Sequence, residues 1–252
     1  MTSLDFYNKC LDILLRIKPN NIDLEKYYIG DNKNFQTLTD VFYRLTVSAR
    51  NYQSMPNVIG YEKKSQIIDK ILYDYNHIEV NNNYSVDSLY QLFRKTFNIT
   101  SADTKMNAWY KWSSSIIDSA KFISKFKDID EFKKFIDCYS MNAFTRASLP
   151  MLIEKEIKGI GFALACDFLK ELGYTEYCKP DVHIIDVLNA VDNTNYNPYQ
   201  AFKRLVQIAI ESDVTPYKLD KIIWLICSGR YYLDDIKIDS YKTDLINELI
   251  AS

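Results

Sequence analysis

Two glycines with a lysine before them form the first candidate for chemistry. In EIKGIGFALA (156–165), Gly159 and Gly161 flank Ile160, although the chain of 252 residues has only 6 glycines. Glycine is required where φ is positive or where a side chain would block a close approach, and we expect both glycines to meet these conditions. The next helix would then point unpaired N–H groups and its positive dipole end outward beside Lys158, which suits a phosphate oxygen. The residues leave two readings open: a phosphate clamp that reads no base sequence, or a plain corner between two helices.

A carboxylate followed by a histidine is the second candidate. In CKPDVHIIDVLNAV (178–191), Asp181 follows Pro180 where a helix is expected to begin, and His183 comes next but one. A carboxylate there can accept hydrogen bonds from the first N–H groups of the helix, so the residues alone predict an N-cap. His183 and His77 are the only histidines in the sequence, which excludes a metal centre built from several histidines.

Amphipathic helices must position both candidates. Ser148 before Leu149 and Pro150 predicts an N-cap and a helix that runs up to the glycines. A second apolar stripe after Gly161 predicts the next helix, with Ile160 pointing into the pair.

The rest of the chain also has the period of a helix. Thr215 before Pro216 predicts the cap of a late helix, and no alternating segments with hairpin turns are found, so we expect a mostly or wholly helical fold without a sheet. Short polar breaks separate helices rather than domains, at 30–34, 79–85, 192–198 and 211–213.

Composition limits the class of protein. With 47% hydrophobic residues the chain can bury a large core, and its formal net charge of −2 gives no overall attraction for polyanions, so any nucleic-acid site must be a local patch. The five cysteines lie far apart without C-x-x-C spacing, which argues against disulfides, zinc and an iron–sulfur cluster. We expect a soluble, cytoplasmic protein, nucleoid-associated if bacterial, without a signal peptide, membrane span or metal.

One long segment resembles a known family. LPMLIEKEIKGIGFALACDFLKELGYTEYCKPDVHIIDVLNAV is similar to the helix-hairpin-helix motif and following catalytic segment of the helix-hairpin-helix DNA glycosylase superfamily, which includes endonuclease III and the 8-oxoguanine glycosylases. The family has a hairpin similar to L-P-G-V-G and, further along, an Asp in a D-x-H setting. Asp181-Val182-His183 matches that setting, and the resemblance covers roughly residues 146–191.

The resemblance implies an all-helical, two-lobed architecture with DNA in the groove between the lobes. One lobe would span 35–172 and contain the hairpin at about 148–172. The second lobe would combine 1–34 with 173–252 and carry the catalytic Asp at the lobe interface.

It also implies a DNA glycosylase activity. In the family the Asp carboxylate faces the sugar of a nucleotide flipped out of the duplex, where it stabilises oxocarbenium charge and orients or deprotonates water. Asp181 is therefore the candidate catalytic residue, with capping alone as the alternative. Lys158, Gly159 and Gly161 are the candidate DNA-binding residues of the hairpin, and His183 is a candidate positioning and DNA-contact residue.

One position departs from the family. Members that also cleave the DNA backbone carry a lysine two residues after the second hairpin glycine, where it forms a Schiff base with the sugar. This chain has Ala163 there, so the resemblance implies a monofunctional enzyme that uses water and leaves an abasic site. Lys155, Lys158 or Lys179 could approach the sugar from another direction, so a lyase step by one of these lysines stays open. The iron–sulfur loop of endonuclease III is missing, and we expect no cofactor beyond an optional monovalent cation at the hairpin.

A fainter resemblance lies upstream. VFYRLTVSARNYQSMPNVI (41–59) is similar to the family helix that ends in S-A-Q or S-S-N, after which a polar residue fills the gap left by the flipped base. Aligned on Ser48-Ala49, that role falls on Arg50 or Asn51, with Gln53 close by. Filling the gap offsets part of an unstacking cost of roughly a few kcal/mol. An ordinary surface loop is the alternative.

Three tryptophans are candidates for a base pocket, because a flipped base is held between aromatic faces. They are Trp109, Trp112 and Trp224. Aromatic residues at helical spacing also form protein cores, and that alternative stays open.

Two other functions stay open: a non-catalytic helix-hairpin-helix DNA-binding protein, and an interaction protein without affinity for DNA. The base that a glycosylase of this sequence would excise is also open, since one pocket side chain can change the preference. Oxidised guanine, alkylated purines, deaminated bases and hypermodified bases of invading viral DNA all fit, so repair and phage defence are both compatible. We expect a monomer that acts on double-stranded DNA containing a damaged or modified base.

Overall fold

The computed structural model describes residues 1–29 and 35–251, so the predicted polar break at 30–34 lies outside the described residues. Within them the chain forms fifteen α-helices and one two-stranded ladder. In chain order the elements are α1 Ser3–Ile17, α2 Glu25–Tyr28, α3 Leu38–Arg50, α4 Met55–Ile59, α5 Ser65–Ile71, α6 His77–Asn83, α7 Val86–Thr96, α8 Ala108–Ile123, α9 Ile129–Ser140, α10 Ser148–Glu156, α11 Phe162–Glu171, α12 Val182–Asp192, α13 Pro198–Glu211, α14 Pro216–Ser228, β1 Arg230–Tyr231, β2 Ile236–Lys237 and α15 Lys242–Ile250.

The predominantly helical fold is confirmed, and the expectation that no strands form is wrong at one place. Strands β1 and β2 are antiparallel, with Arg230 opposite Lys237 and Tyr231 opposite Ile236. Strands of two residues are too short to produce the alternating pattern by which a strand is recognised in a sequence. None of the described helices is long and apolar enough to cross a membrane.

Contacts divide the chain into two compact units. Unit 1 consists of Met1–Lys33 and Leu169–Ser252, and unit 2 is Asn34–Phe168. The chain passes from unit 2 into unit 1 within α11.

Unit 2 is built around α8, which packs against α3, α6 and α7. Trp112 on α8 is fixed in this core, because its indole N–H donates to the carbonyl of Thr46 on α3 at 3.0 Å. The ring of Phe93 on α7 stacks on Trp112 with centroids 5.6 Å apart. This core supplies the rigid surface against which the hairpin between α10 and α11 lies.

Unit 1 joins both ends of the chain in one core. Helix α1 packs against α13 and α14, and α12 packs against α14 and α15. In α2, the hydroxyl of Tyr27 donates to Oδ2 of Asp234, which lies between the two strands, at 2.6 Å. The start of α12, where Asp181 lies, is therefore held by helices that are distant in sequence.

Two of the three predicted helix caps are confirmed. The side chain of Thr215 accepts the N–H of Lys218 at the start of α14, and Asp181 is the N-cap of α12. The predicted cap at Ser148 is wrong, since α10 already includes this residue and Ala147 occupies the cap position. Ala147 has helical backbone angles and the N–H of Ser148 donates to Thr145 O at 2.8 Å, so the preceding turn supplies the partner that a capping side chain would otherwise provide.

Candidate functional site

The predicted hairpin is present in unit 2 and joins α10 to α11 through residues 157–161. Ile157 and Ile160 are both buried, and the N–H of Ile160 donates to Ile157 O at 3.2 Å. As expected, Ile160 therefore points into the protein. Helix α11 begins directly after Gly161, whose carbonyl accepts the N–H groups of Leu164 and Ala165.

The two glycines of the hairpin differ in what requires them. Gly159 has φ of +81°, and a Cβ atom there would lie 2.5 Å from the Oγ of Ser115 on α8. The prediction that the fold requires both glycines holds for Gly159 and is wrong for Gly161. Gly161 has no left-handed φ, and a Cβ there would meet only Glu154 Oε1 at 4.0 Å. The protein would therefore accommodate a Cβ at Gly161 without a clash.

Helix α8 fixes the hairpin through polar side chains that no local sequence pattern singles out. The hydroxyl of Ser115 donates to Lys158 O at 2.7 Å. The N–H of Lys158 donates to Asp118 Oδ2 at 3.3 Å, while the Lys158 side chain remains exposed. Ser115 and Asp118 lie 43 and 40 residues before Lys158 in the chain, so no local pattern could have revealed them.

A cavity of about 650 Å³ in unit 2 opens beside the hairpin. Its lining includes the hairpin glycines, Lys158, and two lysines that sequence analysis missed, Lys105 and Lys111. Glu154 is a carboxylate in the same lining. A chain with a small negative net charge thus gathers three lysines beside a helix N-terminus, an arrangement that attracts an anion.

The segment after α3 reaches the same cavity through Tyr52 and Met55. Two candidate regions that the sequence suggested separately, around residue 52 and around residue 160, therefore border one cavity. Lys111 Nζ lies 5.9 Å from the centroid of the Tyr52 ring, within the range of a cation–π contact.

The candidate wedge residues have different surroundings. The guanidinium of Arg50, at the end of α3, lies 3.9 Å from the centroid of the Tyr61 ring and so has a partner within the protein. Asn51 and Gln53 are exposed. Gln53 also has a left-handed φ of +48°, which is uncommon for a residue other than glycine and places a polar side chain on a strained turn.

Two of the three base-pocket candidates are core residues. Trp109 is 2% exposed and Trp112 is 1% exposed, and their rings pack against each other and against Phe93. The base-pocket prediction for Trp109 and Trp112 is therefore corrected to the core alternative, since neither offers a free ring face. Trp224 in unit 1 is half-buried, and its ring lies edge-on to that of Tyr232 with centroids 5.7 Å apart.

In unit 1, Asp181 is half-buried and rigidly held at the start of α12. Its Oδ1 accepts the N–H of His183 at 2.9 Å and the N–H of Ile184 at 3.2 Å. Its own N–H donates to Lys179 O at 2.8 Å, which fixes the turn that leads into the helix. These three bonds set the direction of the carboxylate.

The surroundings of Asp181 raise its pKa. Burial is the main cause, because it disfavours the charged form, and the negative charge of Asp220 on α14 adds to it. The N–H of Ile184, His183 and Lys179 act in the opposite direction. A carboxyl group with a raised pKa is a better proton acceptor than an ordinary Asp, which suits general-base work.

The remaining candidates, which lie in both units, are half-buried or exposed. His183 is half-buried, and its Nδ1 has no hydrogen-bond partner within the described part of the chain. Ala163 at the start of α11 and Lys179 before Asp181 are half-buried, and Lys155 on α10 is exposed. Residues 1–29 and 35–251 contain no group of three or more His, Cys, Asp or Glu arranged to hold a metal ion.

The predominantly helical fold with a helix-hairpin-helix, which the sequence predicted, has a counterpart among solved structures. A crystal structure of the 8-oxoguanine glycosylase/lyase of Methanocaldococcus jannaschii, in complex with 15mer DNA containing 8-oxoguanine, is similar to it with a TM-score of 0.57. The similarity covers 90% of this chain and 98% of that chain at 17% sequence identity, so it is a likeness of fold. No family model and no curated protein matches the sequence.

Proposed function

We propose that this protein is a DNA glycosylase that hydrolyses the N-glycosidic bond of a damaged or modified base in double-stranded DNA. The observation that carries the proposal is Asp181: a half-buried carboxylate with a raised pKa, fixed by two backbone N–H groups in a chain with a glycosylase fold. A pure N-cap does not need partial burial beside a second carboxylate, whereas a general base benefits from both.

In the proposed reaction, water replaces the base at C1′ of the deoxyribose. The C1′–N bond breaks and its electron pair leaves with the base, so positive charge develops on the sugar and is stabilised by the negative charge of Asp181. The carboxylate accepts a proton from the attacking water as the new C1′–O bond forms. That proton finally reaches the released base, and an abasic sugar remains in the DNA.

We assign DNA binding to the cavity of unit 2 and the hairpin beside it. Lys105, Lys111 and Lys158 would neutralise phosphates, and Gly161, which is exposed and has no side chain, would let a phosphate oxygen approach the backbone at the start of α11. This arrangement binds any sequence, because phosphates carry no base information.

We assign the filling of the vacated base stack to Asn51 or Gln53. Both are exposed on a turn next to that cavity, and Gln53 is presented by a strained backbone. Arg50 is a weaker candidate than the sequence suggested, since it would first have to leave the ring of Tyr61.

The enzyme is proposed to lack the Schiff-base step, because Ala163 stands where the lyases carry lysine. The proposed product is therefore an intact strand with an abasic site, which alkali cleaves.

The test is a panel of duplexes that each carry one damaged or modified base, incubated with the protein and then treated with alkali. We expect strand cleavage after alkali for at least one duplex, and no covalent adduct with borohydride. Asp181→Asn should reduce the cleavage about 10²- to 10⁴-fold while DNA affinity stays unchanged. The matched control is Asp213→Asn, which alters an exposed carboxylate between α13 and α14 at a left-handed φ that Asn tolerates.

A non-catalytic DNA-binding protein is the second candidate, and the lysine-lined cavity of unit 2 would serve it equally well. It is favoured if the protein binds duplexes with a steep salt dependence, releases no base from any of them, and Asp181→Asn changes only stability.

A further inference from the structure

A second carboxylate in unit 1 lies behind the candidate catalytic residue. Asp220 on α14 is only 1% exposed, so it cannot contact a substrate. Its Oδ2 accepts a hydrogen bond from Lys170 Nζ on α11 at 2.9 Å and another from the backbone N–H of Lys179 at 2.7 Å. Lys170 is also buried, at 5% exposure, and the two charges form an ion pair inside the unit.

The bond to Lys179 bears directly on the placement of Asp181. Pro180 has no N–H to donate, so the N–H of Lys179 is the last backbone donor before Asp181. The carbonyl of the same Lys179 accepts the N–H of Asp181. Asp220 therefore holds the N–H of the residue whose carbonyl accepts the N–H of Asp181.

Stability alone gives little reason for a buried ion pair at this place. Removing two charges from water costs about as much as their attraction returns, and a packed apolar pair is often as stable or more stable. Lys170 and Asp220 do something that an apolar pair would not do: they place a negative charge and a hydrogen-bond acceptor behind the segment 179–181.

We propose that Asp220 is a positioning residue for Asp181, with Lys170 as its counter-ion, and this assignment rests on the proposed glycosylase function. Asp220 orients the segment that presents Asp181. Its negative charge also acts on the Asp181 carboxylate and contributes to the raised pKa of that group, after burial. Lys170 makes the buried charge of Asp220 tolerable.

Other charged or titratable groups face Asp181. His183 on α12 and Lys179 before it lower its pKa, and the thiol of Cys227 on α14 lies close enough to be affected by the Asp181 charge. Tyr217 on α14 is in turn affected by the charges of Lys170 and Asp220. The test must therefore change Asp220 and Lys170 and leave these other groups in place.

Two double variants separate the charge of Asp220 from its hydrogen bond. Asp220→Asn with Lys170→Met keeps an oxygen for the Lys179 N–H, removes the negative charge, and leaves no buried ammonium unpaired. Asp220→Leu with Lys170→Met removes the acceptor as well. The matched control is Asp192→Asn with Arg204→Met, which removes the half-buried ion pair between α12 and α13.

The first readout does not depend on activity. Carboxyl NMR titration of Asp181 should give a lower pKa in the Asn double variant than in the wild type, and an unchanged pKa in the control pair. The second readout is the single-turnover rate of base release. The Leu double variant should lose about 10- to 100-fold at unchanged DNA affinity, since small displacements of a reacting group have effects of this size, whereas the Asn variant should retain most of the rate with its acid limb moved to lower pH.

Each result supports or overturns the assignment. An Asp181 pKa that is the same in the wild type and the Asn double variant, together with a Leu double variant that is fully active, overturns it. Equal loss of stability in both double variants, with the Asp181 pKa of the folded protein unmoved, also overturns it in favour of a purely structural pair. If the wild type releases no base from any duplex but the NMR shift occurs, the proposed glycosylase function fails while the coupling of Asp220 to Asp181 stands.

Discussion

The hairpin of unit 2 and the start of α12 in unit 1 are both helix N-termini, and the chain uses them in opposite ways. Before α11 stands Gly161, which has no side chain and where a Cβ would clash with nothing. Before α12 stands Asp181, whose own carboxylate takes the first N–H groups of the helix. Three lysines surround the first site, and a buried Asp lies near the second.

The comparison shows that a helix N-terminus can serve two different tasks. A helix N-terminus without a side chain, beside cations, is suited to an external anion such as a phosphate. A helix N-terminus already occupied by a carboxylate cannot bind a second anion, and instead fixes that carboxylate for chemistry. Four predictions test this division, in decreasing order of expected effect.

The largest effect is expected at Asp181, where catalysis and capping can be separated. Asp181→Asn should reduce base release about 10²- to 10⁴-fold, the usual range for a lost general base. Because Asn is as good an N-cap as Asp, the Tm of the Asn variant should not fall. Asp181→Ala should lose about 1 kcal/mol of stability in addition to its activity. Single-turnover rates and thermal unfolding of both variants check this. Equal activity of Asn and wild type would leave Asp181 as a cap only.

The second prediction concerns pH. The ionised form of Asp181 is the active one, and burial with the nearby charge of Asp220 raises its pKa, so the rate should fall as pH drops through that raised value. The apparent pKa of the acid limb should therefore lie above about 3.9, the ordinary value for Asp. Below that apparent pKa the rate should fall tenfold per pH unit. Rates from about pH 4 to about pH 8, with DNA affinity measured at each point, give the profile. A limb at the ordinary Asp value would contradict it.

The third prediction compares the two hairpin glycines. Gly159→Ala should destabilise the protein by about 1–3 kcal/mol, since a side chain at left-handed φ is strained and would contact Ser115. Gly161→Ala should leave stability within about 0.5 kcal/mol, because its Cβ would make only an ordinary contact with Glu154 Oε1 at 4.0 Å. Both should weaken DNA binding, measured by fluorescence anisotropy. Full DNA affinity in Gly161→Ala would mean that no ligand approaches there.

The smallest effect is expected for the lysines of the cavity. Changing Lys105, Lys111 or Lys158 to Gln should each reduce the slope of log affinity against log salt by about 1, equally for damaged and undamaged duplexes. Lys127→Gln is the control, since this exposed lysine between α8 and α9 does not line the cavity. An equal change in the control would indicate a general charge effect without a local phosphate site.

Local signals explain what sequence analysis predicted correctly. The hairpin, the cap at Asp181 and the helix start at Thr215 each depend on residues within one or two turns, and each is present in the structure. The cap at Ser148 failed because the preceding turn was already helical. Trp109 and Trp112 had the same helical spacing whether they formed a core or a pocket, so only packing could decide between the two.

The sequence by itself determined a helical chain with a glycine hairpin followed by a capped Asp, because backbone conformation and capping depend on neighbouring residues. The tertiary structure alone decided which distant side chains meet these elements: Ser115 against Gly159, Lys105 and Lys111 beside the hairpin, and Asp220 behind Lys179. These contacts join residues on separate helices, and a pKa or a binding surface depends on charges brought together through space rather than along the chain.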